Sequence, residues 1–458
     1  MVMGWGAKST ENRTMTGMPD LYTATEDKID SNLNYTSELS EFYSDHFGFR
    51  QELVTANSLI NEAVFGQSSN QKTVAGKEGW YYLSETIDDY TGASPFTERG
   101  IYRLSKTLDL MNRYSTEGNI TFLFFVAPNK NSIYPEYMPW NIRRSSTPGN
   151  LDRLTRAMRG KLYYLDLKSA LVKAAKDRSR YLYLKNDSHW NNIGALVAYN
   201  LIQTNLNGRI EKYDYRPIDE SKLYISQTEV SGDLTMMLYP ALAKTDVQYE
   251  LGIPRNFSSE KPLTNLMDAE INTTCQGRYY CALCYRDSFF NALIPIQSNA
   301  FAKVRYTRNA KTSPYDLNAA KNGAYNIAMI EIAERNLPNV LYSAPLMDAP
   351  EVSAPKAAHR RYAEQKCTFV DDGESFIFNG ELADWADLDT ESNIYIEFRN
   401  SGNVSHYYEA FPILSGDSYA DNGFSAHISK YNLKNDEYQI FIHVGDEELT
   451  RFTELTLS

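Results

Sequence analysis

Cysteine and long apolar runs are scarce in this chain, and each shortage excludes a class of protein. Four cysteines in 458 residues are too few for a scaffold held together by disulfides. No run of 18 apolar residues occurs, so the sequence holds no candidate transmembrane helix. Its first residues lack the basic start and the apolar core of a secretory signal peptide.

Basic residues are too few for a nucleic-acid surface. Lys and Arg number 46 against 58 Asp and Glu, which gives a formal net charge of −12. Binding to nucleic acid requires a basic surface that neutralises phosphates. The charge balance therefore argues against a nucleic-acid partner.

Metal-ligand spacings are also missing. Cys281 and Cys284 have the C-x-x-C spacing, but both lie in an apolar run that predicts a strand. Residues three apart in a strand point to opposite faces, so the two thiols should not share a metal. His406, His427 and His443 are not two or four residues from one another. We therefore expect no metal site.

Aromatic residues are abundant and the chain is long. Hydrophobic residues make up 42% and aromatic residues 13%, with 34 Tyr and five Trp. A chain of this length predicts two domains. Tyrosine-rich surfaces suit sugars because the ring is apolar and the hydroxyl is polar. A compositional bias of the source organism explains the tyrosines equally well.

Apolar runs alternate with helical patterns over the first three quarters of the chain. The run Ile120 to Ala127 is nearly continuous, which is typical of a buried parallel strand. Further strands are predicted at residues 162–165, 280–284, 303–306 and 327–332. The alternation predicts an α/β fold with a parallel sheet and helices on both faces. Residues 208–275 predict a loop-rich stretch.

The pattern changes after residue 345. Residues 346–361 are rich in Pro and Ala and have no clear periodicity, so they predict a linker. Residues 362–458 contain about seven short strand patterns, which indicate an all-β sandwich. The predicted division is therefore a domain at 1–345 with an N-terminal extension, a linker and a β domain.

Two short segments combine residue types that catalyse acyl transfer. Asp187 lies two residues before His189, and a helical pattern follows at once. Ser288 lies between an apolar run and a helix-like run. A serine at such a corner is exposed and close to backbone N–H groups that can stabilise an oxyanion. The carboxylate and imidazole could supply the base and the group that orients it.

Each of these residues also has a simpler interpretation. A serine before a helix is usually only an N-cap. A single histidine at a helix start more often caps the helix or packs in the core. The chain has six histidines, and four of them fall beyond the α/β-like region. His189 is therefore the leading candidate base by elimination.

An ordered set of short motifs resembles a known family. The chain is similar to the SGNH-hydrolase-like domain of bacterial polysaccharide O-acetyltransferases of the alginate O-acetyltransferase type, and to the DHHW proteins of Gram-positive bacteria. The resemblance covers roughly residues 11–345. Its pieces are Glu11-Asn12-Arg13, Phe42 to Arg50, Gly76 to Tyr81, Ala127-Pro128-Asn129-Lys130, Ile133-Tyr134-Pro135, Asp187-Ser188-His189-Trp190 with Gly194, Asp287-Ser288-Phe289 and Glu334-Arg335-Asn336-Leu337.

The resemblance implies roles for particular residues. Asp187, His189 and Ser288 correspond to the family's catalytic triad. The Asp-x-His pair precedes the serine here, so the resemblance implies a circularly permuted SGNH, flavodoxin-like sheet. Arg335 and Asn336 would then lie near the oxyanion, although a salt-bridged strand end is the alternative for Arg335. The sequence departs from the family pattern at Ser188 and at Arg286.

The leading functional hypothesis is an extracytoplasmic polysaccharide O-acetyltransferase that needs no cofactor. The resemblance implies a membrane acyltransferase partner that supplies acetyl groups, and an N-terminal membrane anchor absent from this sequence. An acetylesterase with the same triad is the first alternative, and a non-catalytic glycan-binding scaffold is the second. Trp385, Tyr407 and Tyr408 are candidate glycan-binding residues, with packing in the β domain as the alternative.

Overall fold

A computed structural model describes residues 37, 39, 40 and 49–456, except 66–67, 214–215, 243, 309–313, 356–358, 361–365, 383–390, 416–419 and 446. The predicted N-terminal extension lies mostly outside the described residues. Two sheets dominate the described part, one in each half of the chain. No described helix is both long enough and apolar enough to cross a bilayer.

The first 350 residues contain eleven described strands. They are β1 Thr73–Ala75, β2 Tyr81–Leu83, β3 Thr121–Ala127, β4 Tyr164–Leu165, β5 Ser226–Ser231, β6 Thr245–Glu250, β7 Ser258–Ser259, β8 Glu270–Thr274, β9 Cys281–Arg286, β10 Lys303–Arg308 and β11 Ile327–Ala333. Strands β1 and β2 form one hairpin, and β5 and β6 form another.

The other seven strands form one mixed sheet with the order β4-β3-β11-β9-β10-β8-β7. The first five of these strands run parallel to one another. Strand β8 runs antiparallel to β10, and β7 runs antiparallel to β8. The expectation of a parallel sheet is therefore right for five strands and wrong for β8, which belongs to the stretch that the sequence predicted as loop. Its alternating, half-exposed pattern suits the sheet's rim.

Helices cover both faces of this sheet. The described α-helices of this part of the chain are α1 Arg50–Phe65, α2 Ile87–Thr91, α3 Glu98–Glu117, α4 Lys130–Ile133, α5 Asn150–Ala157, α6 Leu167–Ala174, α7 Asn192–Arg209, α8 Asp233–Leu238, α9 Ile294–Gln297 and α10 Leu317–Asn322. Alternate residues of β3 enter different cores: Leu123 and Phe125 pack in the core that contains α7, whereas Phe122 and Phe124 pack in the core that contains α3. This burial on both faces explains the continuous apolar run.

The later part of the chain is a curled β domain. Its strands are β12 Glu351–Val352, β13 His359–Arg360, β14 Lys366–Asp371, β15 Ser375–Glu381, β16 Ile394–Asn400, β17 Ser405–Ser415, β18 Ala420–Ser429, β19 Glu437–Val444 and β20 Glu447–Thr456. All neighbouring pairs are antiparallel except β13 with β20.

One continuous sheet replaces the expected pair of sheets. The first half of the long strand β17 pairs with β16 and its second half pairs with β18. The sheet therefore curls so that Phe376 and Phe378 on β15 face Phe398 on β16. The predicted linker supplies β12 and β13 to this sheet.

Helix α3 connects the two halves of the molecule. Tyr102 donates a hydrogen bond to Asn393 at 2.6 Å, and Lys106 forms an ion pair with Glu409 at 2.7 Å. Phe411 of β17 is buried in the same core as α3. The β domain thus packs against the helix layer on the face of the sheet opposite α7.

Candidate active site

Ser288 lies at the carboxyl edge of the mixed sheet. It follows β9, the fourth of the seven strands, and precedes a 3-10 helix at Phe289–Ala292. The sequence predicted a longer helix here, but α9 starts only at Ile294. Pro295 has no N–H to donate to the carbonyl of Asn291, so a continuous α-helix cannot form.

His189 and Asp187 reach the same edge from the segment before α7. The His189 Nε2 atom lies 2.7 Å from the Ser288 hydroxyl. Its Nδ1 atom lies 2.6 Å from Asp187 Oδ1, which also accepts the His189 backbone N–H at 2.9 Å. The structure therefore brings together the three side chains that the sequence analysis predicted as a triad.

Two further contacts fix this segment. Asn191 caps α7 by accepting from the N–H groups of Ile193 and Gly194. The indole of Trp190 donates to the carbonyl of Phe289 at 3.0 Å. This last bond joins the histidine segment directly to the serine turn, across 99 residues of sequence.

The electrostatics of the pair favour an ionised carboxylate next to a basic imidazole. Burial alone would raise the pKa of Asp187, but bonds from His189 and from the Asp233 N–H lower it below its usual range. Burial alone would lower the pKa of His189, but the hydrogen bond to Asp187 and the charges of Asp187 and Asp233 raise it above its usual value. An imidazole of this kind can accept the serine proton.

Asp287 organises the turn that carries the serine. Its Oδ1 accepts from the N–H of Phe289 at 2.9 Å, and its Oδ2 accepts from the N–H of Ala333 at 2.6 Å. Asn336 donates to the same Oδ2 at 3.5 Å, which is a long contact. The Asp287 N–H donates to the buried Glu331, whose pKa is raised by burial and by the Asp287 charge. The Phe289 N–H is therefore engaged and is not a free donor for an oxyanion.

Two other donors lie near Ser288. Its own backbone N–H has no acceptor among the described residues. The Arg335 guanidinium lies 5.7 Å from the ring centroid of Phe289, and its side chain is 14% exposed. It lies close enough to His189 for its charge to lower the pKa of that imidazole. The Arg335 side chain also forms a long ion pair with Glu85, at 3.9 Å, which is the kind of contact that the salt-bridge alternative predicted.

Lys130 supports the segment before the histidine, a role that the sequence did not suggest. Its Nζ atom donates to the carbonyls of Leu184, Lys185 and Asp187 at 2.9, 2.9 and 2.6 Å. Burial lowers the pKa of Lys130 to about 7, although nearby carboxylates oppose this. The three carbonyl acceptors also favour the ammonium form. The motif Ala127-Pro128-Asn129-Lys130 was the one sequence signal that could have drawn attention to it.

Asp233, which the sequence did not nominate, completes a group of potential metal ligands with Asp187 and His189. One ligand atom from each lies within 4.8 Å of the others. The two carboxylates already accept short hydrogen bonds, from His189 and from Ser188. A metal would have to displace the bond that orients the imidazole, so the geometry fits proton transfer better.

The structure describes two of the three candidate glycan-binding aromatic residues. Tyr408 is 0% exposed and packs in the core of the β domain, so its ring cannot stack on a sugar and that expectation is wrong. It lies on the same face of β17 as Ala410, which is buried in this core as well. Tyr407 is half-buried, with its ring against His443. Trp385 lies outside the described residues.

Comparisons with known proteins give low-identity structural matches and one family match. No curated protein matches the chain. Several solved structures, including the following three, are similar at low identity. Bacillus cereus PatB1 is 17% identical with a TM-score of 0.46, covering 57% of this chain and 95% of that one. The O-acetyltransferase domain of Pseudomonas putida AlgJ is 18% identical with a TM-score of 0.40, covering 58% and 92%. A DHHW family protein from Eubacterium siraeum is 11% identical with a TM-score of 0.41, covering 59% and 93%.

A family model matches the central part of the chain. The matched residues include Asp187 and His189 but end before Ser288. Residues 73–264 match the SGNH hydrolase-like domain of acetyltransferase AlgX, and the family resemblance predicted from the motifs is thereby confirmed.

Proposed function

We propose that this protein is an extracytoplasmic O-acetyltransferase that transfers an acetyl group through Ser288 to a hydroxyl of a polysaccharide. The observation that carries the proposal is the hydrogen-bonded chain from Ser288 Oγ through His189 to Asp187, with distances of 2.7 and 2.6 Å. The acetyltransferase family match supports the choice of an acetyl group.

In the proposed reaction, each proton transfer involves a named atom. As Ser288 Oγ bonds to the acetyl carbon, His189 Nε2 takes the hydroxyl proton and then gives it to the leaving oxygen. The acetyl-serine is next attacked by a glycan hydroxyl, whose proton passes to Nε2 and then to Ser288 Oγ. Asp187 stays ionised and stabilises the imidazolium. The Ser288 N–H, with Arg335 and Asn336, would donate to the oxyanion.

The sheet order supports a related structural proposal. Strands β10, β9, β11, β3 and β4 lie side by side in that order. With β9 taken as the first strand, they form the order 2-1-3-4-5 of a flavodoxin-like sheet. We propose that the domain is a circular permutation of the SGNH fold, in which the chain enters at the fourth strand.

The division of labour between the domains is also a proposal. All three triad residues belong to residues 1–345, so we assign catalysis to that part. Residues 362–458, joined through 346–361, would position the glycan, with Tyr407 as the remaining described aromatic candidate. A membrane acyltransferase would supply the acetyl groups.

Acetylester hydrolysis is the second candidate function. The His189 side chain is 26% exposed and Ser288 is half-buried, so water can reach the acetyl-serine. Excluding water is what distinguishes a transferase from an esterase.

One experiment separates these functions. The protein is incubated with a chromogenic acetyl ester, with and without an oligosaccharide, and acetylated sugar is measured by mass spectrometry. The Ser288→Ala variant should lose both release of the chromophore and the acetyl adduct on the protein, whereas Ser169→Ala, an exposed serine on α6, should retain both. Acetate without acetylated sugar would indicate an esterase. Full activity in Ser288→Ala would refute the triad.

A further inference from the structure

A second carboxylate, Asp233, lies beside the imidazole of His189. Its Oδ2 atom lies 3.8 Å from His189 Nδ1. The same oxygen accepts from the Ser188 hydroxyl at 2.6 Å, and Oδ1 accepts from the Ser188 backbone N–H at 2.8 Å. The Ser188 hydroxyl oxygen is itself 3.2 Å from His189 Nδ1. Asp233 thus reaches the imidazole both directly through space and through Ser188.

The local structure holds Asp233 in this position. Its backbone N–H donates to Asp187 Oδ2 at 3.0 Å. A Cβ atom on the preceding Gly232 would lie 2.1 Å from the carbonyl oxygen of Asn186, so only glycine permits this close approach of the two segments. Leu234 and Leu238 of α8 are buried in a cluster with Tyr81 and Tyr239. The backbone bond to Asp187, the close approach at Gly232 and these buried leucines together fix the position of Asp233.

We propose that Asp233 is a positioning residue for His189 that acts through Ser188. The inference rests on the proposed acyl-transfer function of the triad. Because Ser188 donates its proton to Asp233, its oxygen lone pairs face the Nδ1–H of His189. That N–H then has two acceptors, the Asp187 carboxylate and a hydroxyl oxygen polarised by a second carboxylate. Both acceptors stabilise the tautomer of His189 that carries its proton on Nδ1, so that Nε2 can accept the serine proton. Both acceptors also stabilise the imidazolium that forms after this transfer.

Four charged groups act on this imidazole or on its partner carboxylate. Asp187 and Asp233 favour the protonated form of His189, and Arg335 disfavours it. Lys130 lies beneath Asp187 and donates to its carbonyl. Neutralising Asp233 alone leaves the other three in place, so the pKa of His189 should fall. The general base then becomes weaker and titrates at a lower pH.

The test measures the His189 pKa directly. Protein with isotope-labelled histidine is titrated by NMR, and His189→Gln assigns the resonance. We expect Asp233→Asn to lower the His189 pKa and to move the acidic limb of kcat/KM to lower pH. It should also lower kcat about tenfold, as expected for the loss of one hydrogen bond to a charged group, with KM unchanged. Ser188→Ala should lower kcat similarly, and Ser188→Thr should restore it.

Asp246 provides a matched control. It accepts from the backbone N–H groups of Lys185 and Asn186 in the same segment, but it belongs to strand β6 and makes no contact with His189. Asp246→Asn should therefore lower the melting temperature without moving the His189 pKa. An unchanged His189 pKa in Asp233→Asn, or equal shifts in both variants, would overturn the inference. The NMR readout needs no activity, so a wild-type protein that is inactive refutes the proposed function without removing this test.

Discussion

Replacing Lys130 by methionine should destabilise the protein and misplace the Asp187 carboxylate. The lysine side chain is buried, and its ammonium donates to three backbone carbonyls. The carbonyl of Lys185 also accepts from the Tyr81 N–H at 3.0 Å. The carbonyls of Leu184 and Asp187 have no other donor among the described residues. The variant therefore leaves two carbonyls without a partner.

The magnitude follows from these two carbonyls. An unsatisfied buried acceptor costs about 1–3 kcal/mol. Methionine avoids the desolvation cost of a buried ammonium, which offsets part of the loss. We therefore expect a net loss of about 2–4 kcal/mol in the free energy of unfolding. For a domain of roughly 300 residues, the melting temperature should fall by about 3–6 °C.

Activity should fall further than stability alone explains. The backbone carbonyl of Asp187 is one of the three acceptors, so the segment that carries the carboxylate beside His189 loses its anchor. A displacement of about 1 Å at a reacting group can cost about a hundredfold in rate. The assay is hydrolysis of a chromogenic acetyl ester at a temperature where circular dichroism shows a fully folded variant.

Lys185→Met provides the matched control. Lys185 belongs to the same segment as the carbonyls that Lys130 binds, and its ammonium lies over the rings of Trp80 and Tyr181. Its Nζ donates to no backbone carbonyl among the described residues. It should lose at most about 1 kcal/mol, the usual size of such a contact. We expect Lys130→Met to melt about 3–6 °C below the wild type. If it melts within about 1 °C of the wild type, the three bonds do not hold this segment and the reasoning is wrong.

Three further predictions concern pH, the β domain and truncation. The raised pKa of His189 should place the acidic limb of kcat/KM above the ordinary histidine value of about 6.5, and a limb below that value would contradict the electrostatics of the site. Burial opposes ionisation of Glu397, but hydrogen bonds from His443, Arg399 and Ser405 lower its pKa to about 2. The stability that this carboxylate contributes is present above about pH 4.5 and should be lost as the pH falls toward about 2. Glu397→Gln should therefore melt at a lower temperature than the wild type at pH 7, whereas Glu437→Gln, at an exposed position, should not. A chain ending at residue 345 should keep hydrolysis of a small acetyl ester and lose retention on a polysaccharide column, while loss of turnover in a truncated protein that still melts cooperatively would show that the β domain completes the site.

The sequence identified the main elements because their signals are local. A strand buried on both faces needs a continuous apolar run, and β3, β9 and β11 were found within a few residues of their true ends. Short strand patterns separated by turn signals located the strands of the β domain, and these signals are local as well. Asp187 and His189 are two residues apart, so their pairing is also a local feature.

The sequence did not reveal which side chains meet across distant segments. Asp233 contacts Ser188 across 45 residues, and Lys130 reaches the carbonyl of Asp187 across 57 residues. Neither contact has a periodic signature, because nothing in the local pattern fixes where a loop returns. The orientation of Tyr408 was missed for a related reason, since alternation gives two faces but not which face the curled sheet closes over.

Sequence alone therefore determined most strands of the two sheets, the change to a β-rich pattern after residue 345 and the candidates Asp187, His189 and Ser288. Only the tertiary structure decided that the three side chains lie within hydrogen-bonding distance, that β8 joins the sheet antiparallel, and that Asp233 and Lys130 support the histidine segment. The physical reason is that backbone conformation responds to neighbouring residues, whereas the geometry of a site depends on how the whole chain packs around a shared core.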